Sequence, residues 1–307
     1  MSIDLSVTLA GIPLKNPTIL ASGIMGVSAS SLKFCEENGA GAVTLKSIGP
    51  VERSGHANPT VIVWEKGIQN AVGLSNPGID GSIEKIEKAV KVLKIPLIGS
   101  MFADTIDNFK MIALKMAETG VAGIEVNLSC PNTEDDFGKM FALDPKMTED
   151  LIKAVKGEVG NLPIFAKLSG EHSDITEVGK AAEAAGADGI TAINTMSGIV
   201  IDIHQKRPIL TNKVGGLSGP AIRPIGVRAV WNLYQAVKIP IIGTGGINTG
   251  EDAIEYIMAG ASAVGIGSGV WYRGIDVFKK VTDEMKAFME KNNYKNIEEM
   301  KGIAHEK

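Results

Sequence analysis

Four stretches of the chain follow one order of residues: EENGAGAVTLK (36–46), AETGVAGIEVN (117–127), AEAAGADGITAIN (182–194) and YIMAGASAVGIG (256–267). In each, a helical spacing gives way to glycine and then to a short apolar run, the signature of a helix end, a stop and a buried strand. Three further apolar runs carry proline near their starts, KIPLIGS (94–100), LPIFAKLS (162–169) and KIPIIGTGG (238–246), and PTILAS (17–22) makes eight. All are continuously apolar rather than alternating, which suits parallel strands covered on both faces. Between them, IDNFKMIALKMAETG, MTEDLIKAVKGEVG, DITEVGKAAEAAG and EDAIEYIMAG place apolar residues at helical spacing with charges opposite. A βα unit repeated eight times predicts an α/β fold, a closed (β/α)8 or TIM barrel with its sites in the loops after the strands. An open doubly wound sheet is the structural alternative.

Three connections are long for a minimal barrel: residues 47–80, 128–147 and 195–220, all following strand ends. They predict inserted loops at the C-terminal face, where long loops carry function. VTLAGIPLKNP predicts an N-terminal hairpin closing the barrel bottom, and YKNIEEMKGIAHEK a short charged terminal helix. With no linker or low-complexity tract, residues 1–307 are expected to form one domain.

Composition narrows the class. At 44% hydrophobic and 21% charged, with 36 glycines among 307 residues, the chain can bury a large core and make many tight connections. A formal net charge of −4 gives no basic footprint for nucleic acid or an anionic membrane, so small-molecule chemistry is favoured. No apolar stretch reaches the roughly 18 residues of a membrane span, and the N-terminus lacks the pattern of a secretory signal. A cytoplasmic protein is expected.

The strand ends collect Ser22, Lys46, Ser47, Ser100, Asn127, Lys167, Asn194, Thr195, Gly245, Gly246, Gly267 and Ser268, which a barrel would bring to one mouth. A single serine or asparagine there is most simply a cap or turn residue. Lys46 and Lys167 are harder to explain that way, since a lysine ending an apolar strand must find an anion or polar ligand for its ammonium. GTGGINTGEDA (243–253) and GIGSGV (265–270) end the last two strands in glycine. Successive backbone N–H groups near helix starts make a cradle for a phosphate monoester.

Of the two cysteines, Cys35 fits the end of an amphipathic helix as a small packed hydrophobe, whereas Cys130 lies in the polar loop NLSCPN between the carboxamides of Asn127 and Asn132. His56, His172, His204 and His305 show no ligand spacing, so no metal site is expected. Neither a Rossmann fingerprint nor a P-loop occurs. Cys130 is left as the best acid or base, and nearby lysines would favour its thiolate.

TLKSI (44–48), NAVGLSNPG (70–78), EVNLSCPN (125–132), AINT (192–195), GGLSGPAIRPI (215–225), GTGGI (243–247) and GIGSG (265–269) occur in the order found in class 1 dihydroorotate dehydrogenases, which the chain resembles along essentially its whole length. The closest variant is the NAD-linked class 1B catalytic subunit. This resemblance implies an FMN enzyme of pyrimidine biosynthesis that oxidises dihydroorotate to orotate, Cys130 removing the carbon 5 proton and hydride from carbon 6 passing to the flavin. FMN contacts are implied for Ser22, Lys46, Ser47, Ser100, Asn127, Lys167, Ile193, Gly219, Gly245, Gly246, Gly267 and Ser268. Substrate contacts are implied for Lys46, Asn70, Ala71, Val72, Gly73, Leu74, Asn127, Asn132, Asn194 and Thr195. Carboxamides suit a pyrimidine ring because they donate and accept at once.

Three positions depart from the family pattern: Ser100 stands where Asn is usual, Ser268 where Thr is usual, and LSGEHSD follows Lys167 in place of LSPN. Class 1B resemblance also implies a homodimer, or a heterotetramer with a subunit carrying FAD and an iron–sulfur cluster. The alternatives weighed are a dihydropyrimidine dehydrogenase subunit, a non-redox phosphate-binding barrel isomerase or synthase, and an interaction scaffold, which leaves the converging Lys, Asn and Cys unexplained.

Overall fold

The computed structural model describes residues 3–64, 66–128 and 141–305. Eight parallel strands, β1 (Thr18–Leu20), β2 (Ala42–Thr44), β3 (Leu97–Met101), β4 (Gly123–Asn127), β5 (Ile164–Leu168), β6 (Gly189–Ala192), β7 (Ile241–Thr244) and β8 (Ala263–Ile266), form a closed barrel in which each pairs with the next and β8 closes on β1. These are the eight apolar runs of the sequence, and the open-sheet alternative is excluded by the closure. Around them pack helices α1 (Ala29–Glu37), α2 (Ile83–Val92), α3 (Ile106–Glu118), α4 (Pro145–Val159), α5 (Ile175–Ala184), α6 (Arg223–Ala236), α7 (Gly250–Met258), α8 (Gly269–Arg273) and α9 (Val277–Asn292). Val7–Leu9 and Ile12–Leu14 pair as the expected N-terminal hairpin.

Register decides what the barrel encloses. Phe165 on β5 pairs with Gly189 on β6, and a Cβ on Gly189 or Gly123 would fall within 2.7 or 3.0 Å of its ring. Those two glycines leave the space that one large side chain fills. The next position up β5 on the same face is Lys167, which pairs in register with Asn127 and Thr191, while Glu125 pairs with Ser100. The filling of the barrel therefore changes from apolar to polar toward the C-terminal ends of the strands.

The long connections after β2 and β6 are not irregular loops. Val61–Trp64, Gly67–Asn70, Met196–Ile199 and Val214–Ser218 form one antiparallel sheet that joins the two insertions, with Asn70 opposite Gly216. The C-terminal segment also differs from expectation. It forms two short 3-10 turns, Ile297–Glu299 and Ile303–His305, because Gly302 between them takes a left-handed φ of 73° that interrupts a helix.

Candidate active site

A connected polar cluster lies at the C-terminal ends of β1 to β5. The hydroxyls of Ser22, Ser47 and Ser100 are mutually hydrogen bonded, Ser47 to Ser100 at 2.8 Å and Ser22 to each of the others at 3.1 Å. From there Ser100 donates to Glu125 Oε1 at 3.5 Å, and the same oxygen pairs with Lys167 Nζ at 3.2 Å. Glu125 and Lys167 are only 4% and 6% exposed. The anion that a strand-end Lys167 requires is thus supplied from inside the protein, by a residue that sequence reasoning passed over.

Beside this cluster, Asn194 donates through Nδ2 to Asn127 Oδ1 at 3.3 Å and accepts from the Thr195 N–H through its own Oδ1 at 2.8 Å. Both carboxamides are half-buried, Asn127 at the end of β4 and Asn194 just after β6, the two strands that flank β5. Ile193 is buried. Lys46 is half-buried, its backbone N–H held by Gly26 O at 2.9 Å, and burial moves its ammonium pKa below the usual lysine range. A Cβ on Gly26 would lie 2.6 Å from Lys46 N, so the approach of these two backbones depends on glycine.

The NAVGL segment, Asn70 through Leu74, hangs from the inserted sheet and is braced from both sides. His56 donates its backbone N–H to Val72 O at 3.1 Å and places Nδ1 3.2 Å from Ala71 O. Asn76, 8% exposed, accepts from the N–H groups of Gly49 and Gly78 at 3.0 and 2.8 Å and donates to Leu74 O at 2.7 Å. Gly73 and Leu74 both have left-handed φ, 75° and 55°, a conformation unusual for leucine that these bonds hold. Asn70 Nδ2 reaches Gly216 O at 3.4 Å, and Thr195 crowds the same glycine, so the sheet brings these two candidates together. His56, outside any quoted motif, and Asn76, inside NAVGLSNPG but not among the expected contacts, gain their bracing role only through these contacts.

On the far strands, Gly245 and Gly246 have φ of 131° and 70°. A Cβ on Gly246 would sit 2.6 Å from Gly219 O, so three of the candidate glycines converge here. Tyr256, fully buried on α7, donates to Gly245 O at 2.8 Å and secures the turn from behind; its burial raises the phenol pKa. The start of α7 itself is occupied: Asp252 accepts from the N–H groups of Asn248 and Thr249, and Glu284 accepts from Gly250 N. The glycine turns, not that helix terminus, are what an anion would meet. Gly267 and Ser268 follow β8, Ser268 preceding α8 without capping it by its side chain.

Gly170, in the LSGEHSD departure, lies against Ile193 and Met196, where a Cβ would meet them at 2.8 and 2.9 Å. Glu171 accepts from Ser197 N, tying this loop to the inserted sheet. Cys130 and Asn132 lie outside the described residues.

The orphaned polar atoms bear on what could bind. Among the described residues, the buried Thr191 Oγ1 and Thr244 Oγ1 on β6 and β7 and Asn248 Oδ1 beyond β7 have no hydrogen-bond partner. Together with a hydroxyl cluster, a buried ammonium and a glycine cradle, the two threonine hydroxyls as donors and the Asn248 Oδ1 as an acceptor suit a phosphorylated cofactor whose ring carries both carbonyl and N–H groups.

Residues 4–289 match the family model described as dihydroorotate dehydrogenase. Among curated relatives, a Methanocaldococcus jannaschii protein named dihydroorotate dehydrogenase B (NAD(+)), catalytic subunit, is 50% identical over 305 residues, 98% of each chain. Proteins of the same name from Thermoplasma volcanium and Pyrococcus abyssi are 46% and 43% identical, covering 98% of this chain and 98% and 99% of theirs.

Proposed function

The chain belongs to the dihydroorotate dehydrogenase family, and on that footing we propose that it oxidises (S)-dihydroorotate to orotate in pyrimidine (UMP) biosynthesis, using FMN and Cys130 as general base. The observation that carries this reading is the cluster of half-buried Ser22 with buried Ser47, Ser100, Glu125 and Lys167 beside the Asn127–Asn194 pair at one end of the barrel. Such a wall suits a planar amide-rich ring, and the Gly219, Gly245 and Gly246 cradle suits a phosphate.

In this proposal Ser22, Lys46, Ser47, Ser100, Asn127, Lys167, Ile193, Gly219, Gly245, Gly246, Gly267 and Ser268 hold FMN. When bound, the cofactor supplies a two-electron acceptor for the hydride leaving carbon 6 of the substrate. Cys130 takes the carbon 5 proton, so that the two departures leave the ring double bond of orotate. Asn127, Asn132, Asn194, Thr195 and the segment Asn70 to Leu74 hold the ring's carbonyl and N–H groups, and the Lys46 ammonium pairs with the substrate carboxylate. The carboxylate contact separates this substrate from uncharged dihydropyrimidines.

The relatives' designation as a catalytic subunit supports a partner that relays electrons to NAD, in a heterotetramer with an FAD and iron–sulfur subunit or beside a homodimer of this chain. Among the described residues no helix is long and apolar enough to cross a membrane. The test is to purify the protein, record its absorbance after FMN addition, and compare dihydroorotate with dihydrouracil as reductants. Acceptors to screen are NAD, fumarate and quinone, with and without a co-purifying partner. Yellow protein bleached by dihydroorotate alone is expected; colourless protein that takes up no FMN refutes the reading.

A further inference from the structure

A buried ion pair is expensive to form from two hydrated charges, and replacing such a pair by apolar residues is often neutral or stabilising. The pair between Glu125 and Lys167 therefore calls for a reason beyond stability. Its geometry suggests one. Glu125 and Lys167 lie on adjacent strands, both facing the barrel axis, and Lys167 pairs in register with Asn127, whose carboxamide contacts Asn194 at the rim. Glu125 sits one layer deeper, two residues before Asn127, and its Oε1 holds both the Lys167 ammonium and the Ser100 hydroxyl. Through Ser100 it also reaches Ser47 and Ser22. One carboxylate oxygen thus anchors the lysine and the hydroxyl cluster that together line the mouth.

We propose that Glu125 is a positioning residue that sets the charge of the cofactor wall: it holds the Lys167 ammonium in place and offsets its charge, so that the site presents a nearly neutral donor rather than a full cation. This rests on the reading of the mouth as a flavin site. A bare cation beside the pyrimidine edge of a flavin would overstabilise the reduced, anionic form and hold back electrons that must pass onward. The Glu125 carboxylate tempers that attraction while leaving the N–H donors of Lys167 and the serine hydroxyls in place.

Sulfite reports this charge without turnover, because it adds through its lone pair to flavin N5 and leaves negative charge at N1 and the C2 carbonyl. For FMN-loaded Glu125→Gln, sulfite binding should tighten on the order of tenfold, because the charge of the Lys167 ammonium is then no longer offset by its carboxylate partner. The flavin midpoint potential should rise in step, by roughly 30 mV for a tenfold change in a two-electron couple. Glu125→Asp, which keeps the charge, should restore the affinity toward wild type and serves in its place if the Gln variant fails to fold. Glu125→Gln/Lys167→Met should lose the tightening, because the effect acts through the lysine. Unchanged sulfite affinity and potential in an FMN-loaded Glu125→Gln, or in Glu125→Asp an affinity outside the range between wild type and tenfold tighter, would overturn the proposal and leave the flavin reading standing. A wild-type protein that binds no FMN would overturn both.

Discussion

Asn76→Ala should loosen the substrate side of the site from behind. The wild-type side chain is 8% exposed and makes three hydrogen bonds: it accepts from Gly49 N at 3.0 Å and Gly78 N at 2.8 Å and donates to Leu74 O at 2.7 Å. Removing it orphans two N–H donors and one carbonyl, each worth about 1 kcal/mol net, so a stability loss of about 3 kcal/mol is expected. For a chain of this size that corresponds to a fall in Tm of roughly 5 °C. Leu74 would no longer be held in its left-handed conformation, at φ 55°, and would relax when free. If reordering the segment on binding takes about 1 kcal/mol, dihydroorotate affinity falls about fivefold. FMN affinity should barely move, because Asn76 touches none of the proposed flavin contacts. The assay pairs thermal unfolding with anaerobic stopped-flow titration of flavin bleaching against dihydroorotate, with Asn76→Asp as a control that keeps the acceptors and loses the donor to Leu74. An Asn76→Ala protein with wild-type Tm and an unchanged dihydroorotate Kd would refute the bracing role.

Other perturbations separate the parts of the site. Lys46→Ala should weaken dihydroorotate and FMN binding together, read by stopped flow and by flavin retention on dialysis; unchanged affinity for both contradicts its placement. Gly246→Ala should destabilise by about 2–4 kcal/mol, since left-handed φ adds about 1 kcal/mol of strain and the new Cβ crowds the Gly219 carbonyl. Gly160→Ala, at φ 58° and ψ −116° with open space around a new Cβ, meets backbone strain alone and should cost about 1–3 kcal/mol by the same unfolding assay. Cys35 is fully buried on α1 and its thiol is pushed up from 9.0 to about 11 by burial, so iodoacetamide should leave it unlabelled in native protein and modify it after denaturation. The same shift favours the neutral thiol in the folded state: its contribution to stability is complete below pH 9.0 and is lost as pH rises through about 11, a dependence that Cys35→Ala should remove from alkaline unfolding curves.

The barrel was legible because its signals are local. A glycine after a helical stretch and a continuous apolar run mark each strand without reference to the rest of the chain, and eight such marks close only in a few ways. The inserted sheet was not legible for the opposite reason. Gly67–Asn70 and Val214–Ser218 are short and glycine-rich, and Asn70 meets Gly216 across 146 residues, a pairing that no local period announces. Strand ends pointed to Ser22, Lys46, Ser47, Ser100, Asn127, Lys167 and Asn194 because polar residues there interrupt apolar runs. Glu125 carries no local signal, since a lone acid inside GIEVN shows no partner; only the register between β4 and β5 brings Lys167 to it from 42 residues away. GTGGI and GIGSG mark glycine turns locally, but that Gly246 meets Gly219, and that Asp252 and Glu284 take the N–H groups of Asn248, Thr249 and Gly250 at the helix start beside them, depends on the fold.

The central claim is that this barrel takes hydride and proton from dihydroorotate through a flavin and Cys130. Anaerobic mixing of FMN-loaded protein with dihydroorotate, following flavin absorbance and orotate formed, tests it most directly. Wild-type protein should bleach with one orotate per flavin, and Cys130→Ala should keep its FMN but bleach about 10²- to 10⁴-fold more slowly, the usual loss for a removed general base. Bleaching of Cys130→Ala at the wild-type rate, or a wild-type flavin that dihydroorotate leaves oxidised, would contradict it.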